Sequence, residues 1–188
     1  MASMSFIGKM FRPLRAGQKY SFWQRSAFNA PETLVLSSSE FDANAAHLLK
    51  HAGKGLGENI SPQLSIENIL PSSIGVLLLL EDSDVPLPRP IVHTVAIFNA
   101  ELIVNGTVTL AAGALTENTL MPASFGRRGY EGPHPIAGHG PHHYEFSAYA
   151  FSADDAAAFR IKSLKALKSL PSGKILARGR LVGSFEQK

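Results

Sequence analysis

Apolar positions in this chain come mostly in short runs and short alternations, the signature of strands. Residues 74–80 read I-G-V-L-L-L-L, an unbroken apolar run of strand length. The run predicts a central strand buried on both faces. Residues 142–150 alternate instead. Tyr144, Phe146, Ala148 and Ala150 fall on one face, and Glu145, Ser147 and Tyr149 on the other, which predicts a half-buried strand. Residues 33–36 and 93–98 read as further strands, Leu64 and Ile66 as an alternating one, and 174–185 as a last strand interrupted by glycine. Asn105-Gly106 between apolar residues 102–104 and 107–110 signals a hairpin. Helical spacing is scarcer. Residues 42–51 suggest a short helix closed by glycines at 53, 55 and 57. Ser152 with Asp155 reads as a capping box ahead of Ile161, Leu164 and Leu167, with Pro171 and Gly173 as the stop. About six or seven strands against two or three short helices, strand next to strand, predict a mainly β fold with antiparallel sheets or a sandwich.

Just before the alternating strand, the pattern breaks. From Gly126 to Pro141 half the residues are Gly or Pro, so neither a helix nor a ladder strand can run through. Four of the seven histidines, His134, His139, His142 and His143, lie in or beside this loop. A stiff loop presenting imidazoles, anchored by a strand, can build a polar pocket at a sheet edge. The plain alternative is a crossover loop with solvent-facing histidines. The 74–80 run also ends in acids, Glu81, Asp82 and Asp84, which are costly there unless they reach water, a cation or donors. If the strand beginning near His93 is a neighbour, Asp82, Asp84 and His93 approach one another.

Composition narrows the function. The chain has 188 residues, 45% of them apolar, no cysteine and a formal charge of +3. The length fits a single domain with a real core. Without cysteine, thiolate nucleophiles, disulfides and Cys-based zinc sites are excluded. No apolar run reaches the length of a membrane span. The mild positive charge lacks a Lys/Arg cluster interleaved with aromatics on one predicted element face, so no nucleic-acid partner is expected. Residues 1–30 stand apart. They carry Lys9, Arg12, Arg15, Lys19 and Arg25 with no acid, and Phe6, Phe11, Phe22, Trp23 and Phe28. This reads as an N-terminal arm whose aromatics pack on the domain formed by 31–188. A mitochondrial presequence is the lesser alternative to a cytoplasmic protein.

Three motifs then occur in one order: G-E-N-I-S-P-Q-L at 57–64, E-D-S-D-V-P at 81–86 followed by His93, and Y-E-G-P-H-P-I-A-G-H-G-P-H-H-Y at 130–144. With the ending L-A-R-G-R-L-V-G-S-F, the chain resembles the phosphatidylethanolamine-binding protein family, which includes Raf-kinase-inhibitor-like and YbhB/YbcL-like proteins. The G-H-G-P-H-H-Y form looks most like fungal members. The resemblance implies two antiparallel sheets with Greek-key connections, a few peripheral helices, and a small anion pocket at the sheet ends. Position by position, it implies ligand-binding roles for Asp82, Asp84, His93, Gly132, Pro133, His134, His142 and Tyr144. Departures from the family pattern fall around the pocket: Ser83 for proline, Val85 for alanine, Thr94 and Ile66 for aromatic residues, and His134 in the loop.

The expected ligand is small and anionic or zwitterionic, such as phosphate or phosphorylethanolamine. Imidazoles and a tyrosine hydroxyl would donate to phosphate oxygens. The aspartates would orient and charge the histidines or accept from an ammonium. The resemblance, and not the residues, adds kinase or protease inhibition, and it leaves room for peripheral membrane contact. The alternative is an enzyme in which Asp82, Asp84, His93 and His142 perform acid–base chemistry, a dehydration, isomerisation or cyclisation, on a small metabolite. No G-x-S-x-G motif accompanies them, which argues against a covalent hydrolase. A metal site would draw on the loop histidines and the aspartates, but none of these loop histidines lies on a predicted helix, where the zincins carry their H-x-x-x-H pair. Neither a metal nor a cofactor is expected.

Overall fold

The computed structural model describes residues 2–46, 49–116, 122–152 and 162–188. In chain order the elements are helix α1 (Ala2–Phe11), strands β1 (Val35–Ser37), β2 (Leu64–Glu67), β3 (Ser73–Asp82), β4 (Ile91–Asn99), β5 (Val108–Leu110) and β6 (His142–Ser152), helix α2 (Leu164–Lys168) and strand β7 (Ile175–Phe185), with single 3-10 turns between them. The strands form two antiparallel sheets, one ordered β1-β2-β5 and the other β4-β3-β6-β7. The expected mainly β, two-sheet fold is what the chain adopts.

The apolar run becomes β3, a central strand of the larger sheet. Val76, Leu78 and Leu80 point between the sheets, where they meet Leu36, Leu64, Ile66, Val108 and Phe146. Leu77 and Leu79 point to the outer face and join a second apolar cluster with Phe22, Trp23, Phe28, Tyr149 and Leu167. The larger sheet is thus covered on both sides.

That second layer corrects one expectation. Strand β6 is buried on both faces, because Glu145, Ser147 and Tyr149 lie under the segment after α1. Phe22, Trp23 and Phe28 occupy this face, with Phe28 edge-on to Tyr149 at 5.0 Å between centroids. Arg178 of β7 holds the segment down, donating to the carbonyls of Trp23 at 2.9 Å and Phe28 at 3.5 Å and to Glu32 at 2.8 Å. Its guanidinium also stacks on Trp23, 4.0 Å from the ring centroid.

Other expectations shift locally. Asn105 and Gly106 do make a tight turn, with φ of 51° and 74°, the signature that Asn-Gly favours. The hairpin closes on only the Val104–Thr107 bridge, and β5 pairs with β2 instead. Of the helix expected over 42–51, the described part is a turn at Ala43–Asn44 and a 3-10 turn at Leu49–His51. Ser152 ends β6, while Asp155 and Ile161 lie outside the described residues. The cap of α2 is Ser163, whose hydroxyl accepts from the Ala166 amide. No described helix is long and apolar enough to cross a membrane.

Candidate functional site

The acids at the end of β3, His93 near the start of β4, and the start of β6 meet at one end of the larger sheet. Antiparallel pairing sets Asp82 opposite Ile91 on one side and opposite Tyr144 on the other. Strand alternation puts Asp82 on the inner face with Leu78 and Leu80, and the irregularity in the β3–β4 ladder between Leu80 and Glu81 leaves His93 of β4 out of the paired register. Asp82 and Tyr144 are therefore neighbours, with His142 and His93 beside them.

Asp82 is buried and satisfied. Its Oδ1 accepts from the Asp84 amide at 2.8 Å, and its Oδ2 is 2.7 Å from Nδ1 of His142. Asp84 lies further out. Its Oδ2 accepts from the His143 amide and ring, both at 2.7 Å, and its Oδ1 pairs with Arg15 at 2.8 Å. Partial burial works against its charge, yet the bonds from His143 and Arg15 hold the carboxyl below its usual range.

His142 is bonded through both ring nitrogens. Nδ1 meets Asp82, and Nε2 lies 2.7 Å from Nδ1 of His139. Nε2 of His139 in turn faces the carbonyls of Phe11 at 3.0 Å and Leu14 at 3.2 Å, at the end of α1. His139 was visible in the sequence as one histidine of the loop, but nothing there linked it to the arm.

His93 differs. Its Nδ1 is 3.2 Å from the carbonyl of Glu131, which can only accept, so the proton sits on Nδ1 and the lone pair on Nε2. Among the described residues, Nε2 is buried with no hydrogen-bond partner. The ring stands edge-on to Tyr144, 5.4 Å between centroids. Burial holds the imidazole below its ordinary pKa, although Asp82 and Glu131 pull the other way, and the neutral form prevails. Burial and the nearby Asp82 push the Tyr144 hydroxyl up, so it stays protonated, and it accepts from the His134 amide at 3.2 Å.

The Gly/Pro loop closes the site through its backbone. Tyr130 donates to the His51 carbonyl at 3.0 Å, and Asn59 accepts from the Gly132 amide at 2.8 Å. Pro133 accepts from the Gly53 amide at 2.8 Å. A side chain on Gly132 would meet the His51 carbonyl oxygen at 1.9 Å, so only glycine fits there. The amide of Gly132, a residue that the family resemblance implies in ligand binding, is taken by Asn59. Pro133 is buried, and the His134 side chain is exposed. Sequence reasoning did not single out Asn59, Arg15 or Glu131, which act here by holding other groups in place. Among the described residues, no three His, Asp or Glu side chains are grouped to hold a metal.

Comparisons with known proteins agree on a family. A family model described as "Phosphatidylethanolamine-binding protein" matches residues 37–186. A UPF0098 protein of Pyrococcus abyssi is 30% identical over 161 residues, covering 84% of this chain and 88% of its own. A fungal protein named "Phomoidride biosynthesis cluster protein B" is 26% identical over 199 residues, covering 96% of this chain and 92% of its own. The crystal structure of E. coli YbcL superimposes with a TM-score of 0.68 at 18% identity, covering 82% of this chain and 99% of that one.

Proposed function

Because the chain belongs to the phosphatidylethanolamine-binding protein family, we propose that it binds a small phosphate-bearing ligand where β3, β4 and β6 end, with His93 as the group that meets it. The observation that carries this reading is the Nε2 atom of His93, buried, unprotonated and without a partner among the described residues. A buried polar atom left unpaired is costly, and a ligand that supplies the missing proton recovers that cost. A phosphate monoester in its monoanionic form carries such an O–H. Donation to Nε2 leaves the ligand's charge next to an imidazole that can take up the proton. The aspartates are already engaged by His142, His143 and Arg15. The reading therefore rests on the phosphate and not on an ammonium. Kinase or protease inhibition would come with the family and is needed for no part of it.

The test is a histidine-resolved NMR titration of the whole chain with inorganic phosphate and with phosphorylethanolamine, at pH about 6 and about 8. The expected result is a saturable shift at His93, stronger at the lower pH and similar for both ligands. If neither ligand moves His93, the reading is wrong.

The same lone pair favours a second reading. A neutral buried imidazole beside a protonated tyrosine is a base–acid pair suited to proton transfer on a small metabolite. Likeness to a protein named for a biosynthesis cluster supports it. Deuterium wash-in at acidic C–H bonds of candidate metabolites, catalysed by the native chain and lost in His93→Gln, is the outcome expected. Equal exchange in both proteins would remove His93 from that role.

A further inference from the structure

Helix α1 turns the wrong face outward for a helix that ends its contacts at this protein. Its inward face is fixed by small residues. A side chain at Gly8 would meet the Ala137 carbonyl oxygen at 2.0 Å, and one at Gly138 would meet the Ser5 carbonyl oxygen at 2.5 Å. Ser5 and Gly8 therefore face the loop that carries His139. At 3.6 residues per turn, this leaves Phe6, Ile7 and Met10 on the opposite side. They are 69%, 45% and 58% exposed, and Leu14 just beyond the helix is 53% exposed. Of the twelve large hydrophobic side chains exposed among the described residues, these four fall within nine consecutive positions. Tyr20 and Leu87, also exposed, belong to the adjoining segment and to the β3–β4 loop on which it rests through the Ala16–Val85 hydrogen bond.

The charges around this apolar stripe have one sign. Lys9, Arg12, Arg15 and Lys19 interleave with it, Arg89 lies over Tyr20, and residues 1–30 contain no acid. The one described acid that meets the segment here, Asp84, is held by Arg15 and His143. Aromatic and aliphatic side chains pointing away from the protein, ringed by cations alone, match the interface of an anionic bilayer. There the apolar face enters the acyl boundary and the basic residues stay among the headgroups. A protein groove would be expected to balance such a face with acids of its own, and a second copy would bring like charge against like.

We propose that α1 and the segment to Leu14 form an interfacial anchor for an anionic phospholipid surface, through Phe6, Ile7, Met10 and Leu14 inserted and Lys9 and Arg12 at the headgroup level. The carbonyls that end the helix are the ones that meet His139. The anchor would therefore hold the site of Asp82, His93 and His142 beside the membrane, whatever ligand that site takes.

The test is co-flotation of the whole chain with vesicles of phosphatidylcholine alone or with about a third phosphatidylglycerol. Binding to the anionic vesicles only, weakened by high salt, is the expected result. The double substitution Phe6→Ser/Met10→Ser should lower the partition coefficient at least about tenfold, since two large apolar side chains leave the interface. Lys9→Glu/Arg12→Glu should lower it similarly. All four positions are exposed, so the thermal midpoint should not move. Excess phosphorylethanolamine should leave bound protein in place. Four outcomes would overturn the proposal: no binding to anionic vesicles, equal binding by the variants, release by phosphorylethanolamine, or a solution dimer that the same substitutions dissociate.

Discussion

His139 and His142 are bonded ring to ring, Nδ1 to Nε2 at 2.7 Å, and the pair joins a buried carboxylate to the backbone of the N-terminal segment. The links from Asp82 through both rings to the Phe11 carbonyl need three protons, and two neutral imidazoles bring only two. The third lies within the run from Asp82 to His139. A fourth proton has no acceptor, because Nδ1–H of His139 would face Nε2–H of His142. Burial, and then the His142 charge, accordingly hold His139 below its ordinary pKa.

The contribution of neutral His139 is therefore complete above its unfolded value of about 6.5 and lost as pH falls through the lower folded value. The segment it holds should loosen on acidification. Hydrogen-exchange protection of the Ala16 and Gly17 amides, which donate to Val85 and Ser83, reads this directly. His139→Leu should lower that protection by about tenfold at neutral pH and abolish its acid dependence. His139→Gln, which can still donate to the Phe11 and Leu14 carbonyls, should retain part of it.

Glu81 gives the opposite sign. It faces Glu145 across the β3–β6 ladder, and both its oxygens lie within 3.2 Å of the Phe22 amide. Burial pushes its pKa up to about 8. The Phe22 hydrogen bond opposes the shift, and the like charge of Glu145 adds to it. The folded chain keeps this proton where the unfolded chain, near 4.5, has lost it. Its stability contribution is complete below the unfolded value and lost as pH rises through about 8. Urea unfolding should show a fall of up to about 1.4 kcal/mol per pH unit across that window. Glu81→Gln should flatten the fall.

Two glycines separate the segment from the site. At Gly132 an added methyl would strike the His51 carbonyl at 1.9 Å, displacing the loop whose Glu131 carbonyl orients His93. Gly132→Ala should cost about 1–3 kcal/mol in global unfolding and shift the His93 resonances. Gly8→Ala, by contrast, meets the Ala137 carbonyl and the His139 amide nitrogen under α1. It should leave the global midpoint in place while speeding tryptic cleavage after Lys9.

Much of the molecule follows from pattern alone. The apolar run at 74–80 sets a doubly buried central strand, because seven consecutive apolar residues have no polar face to give to water. The alternation after His142 fixes which side of β6 enters the core, because side chains on a strand alternate with period two. The ordered motifs around Asp82, His93 and Tyr144 resemble the family's motifs closely enough to imply both the fold and the residues that gather at its sheet ends.

What the pattern cannot carry is contact between distant segments. Glu145, Ser147 and Tyr149 read as a solvated face because nothing local announces that Phe22, Trp23 and Phe28 cover them. The Gly132 amide reads as a free donor until Asn59, some seventy residues earlier, is found bonded to it. His139 reads as one loop histidine among four until α1 brings its carbonyls to the ring. The periodicity of one segment records which of its faces is apolar. Which groups then complete a buried hydrogen bond depends on how the chain closes on itself, and only the folded structure decides that.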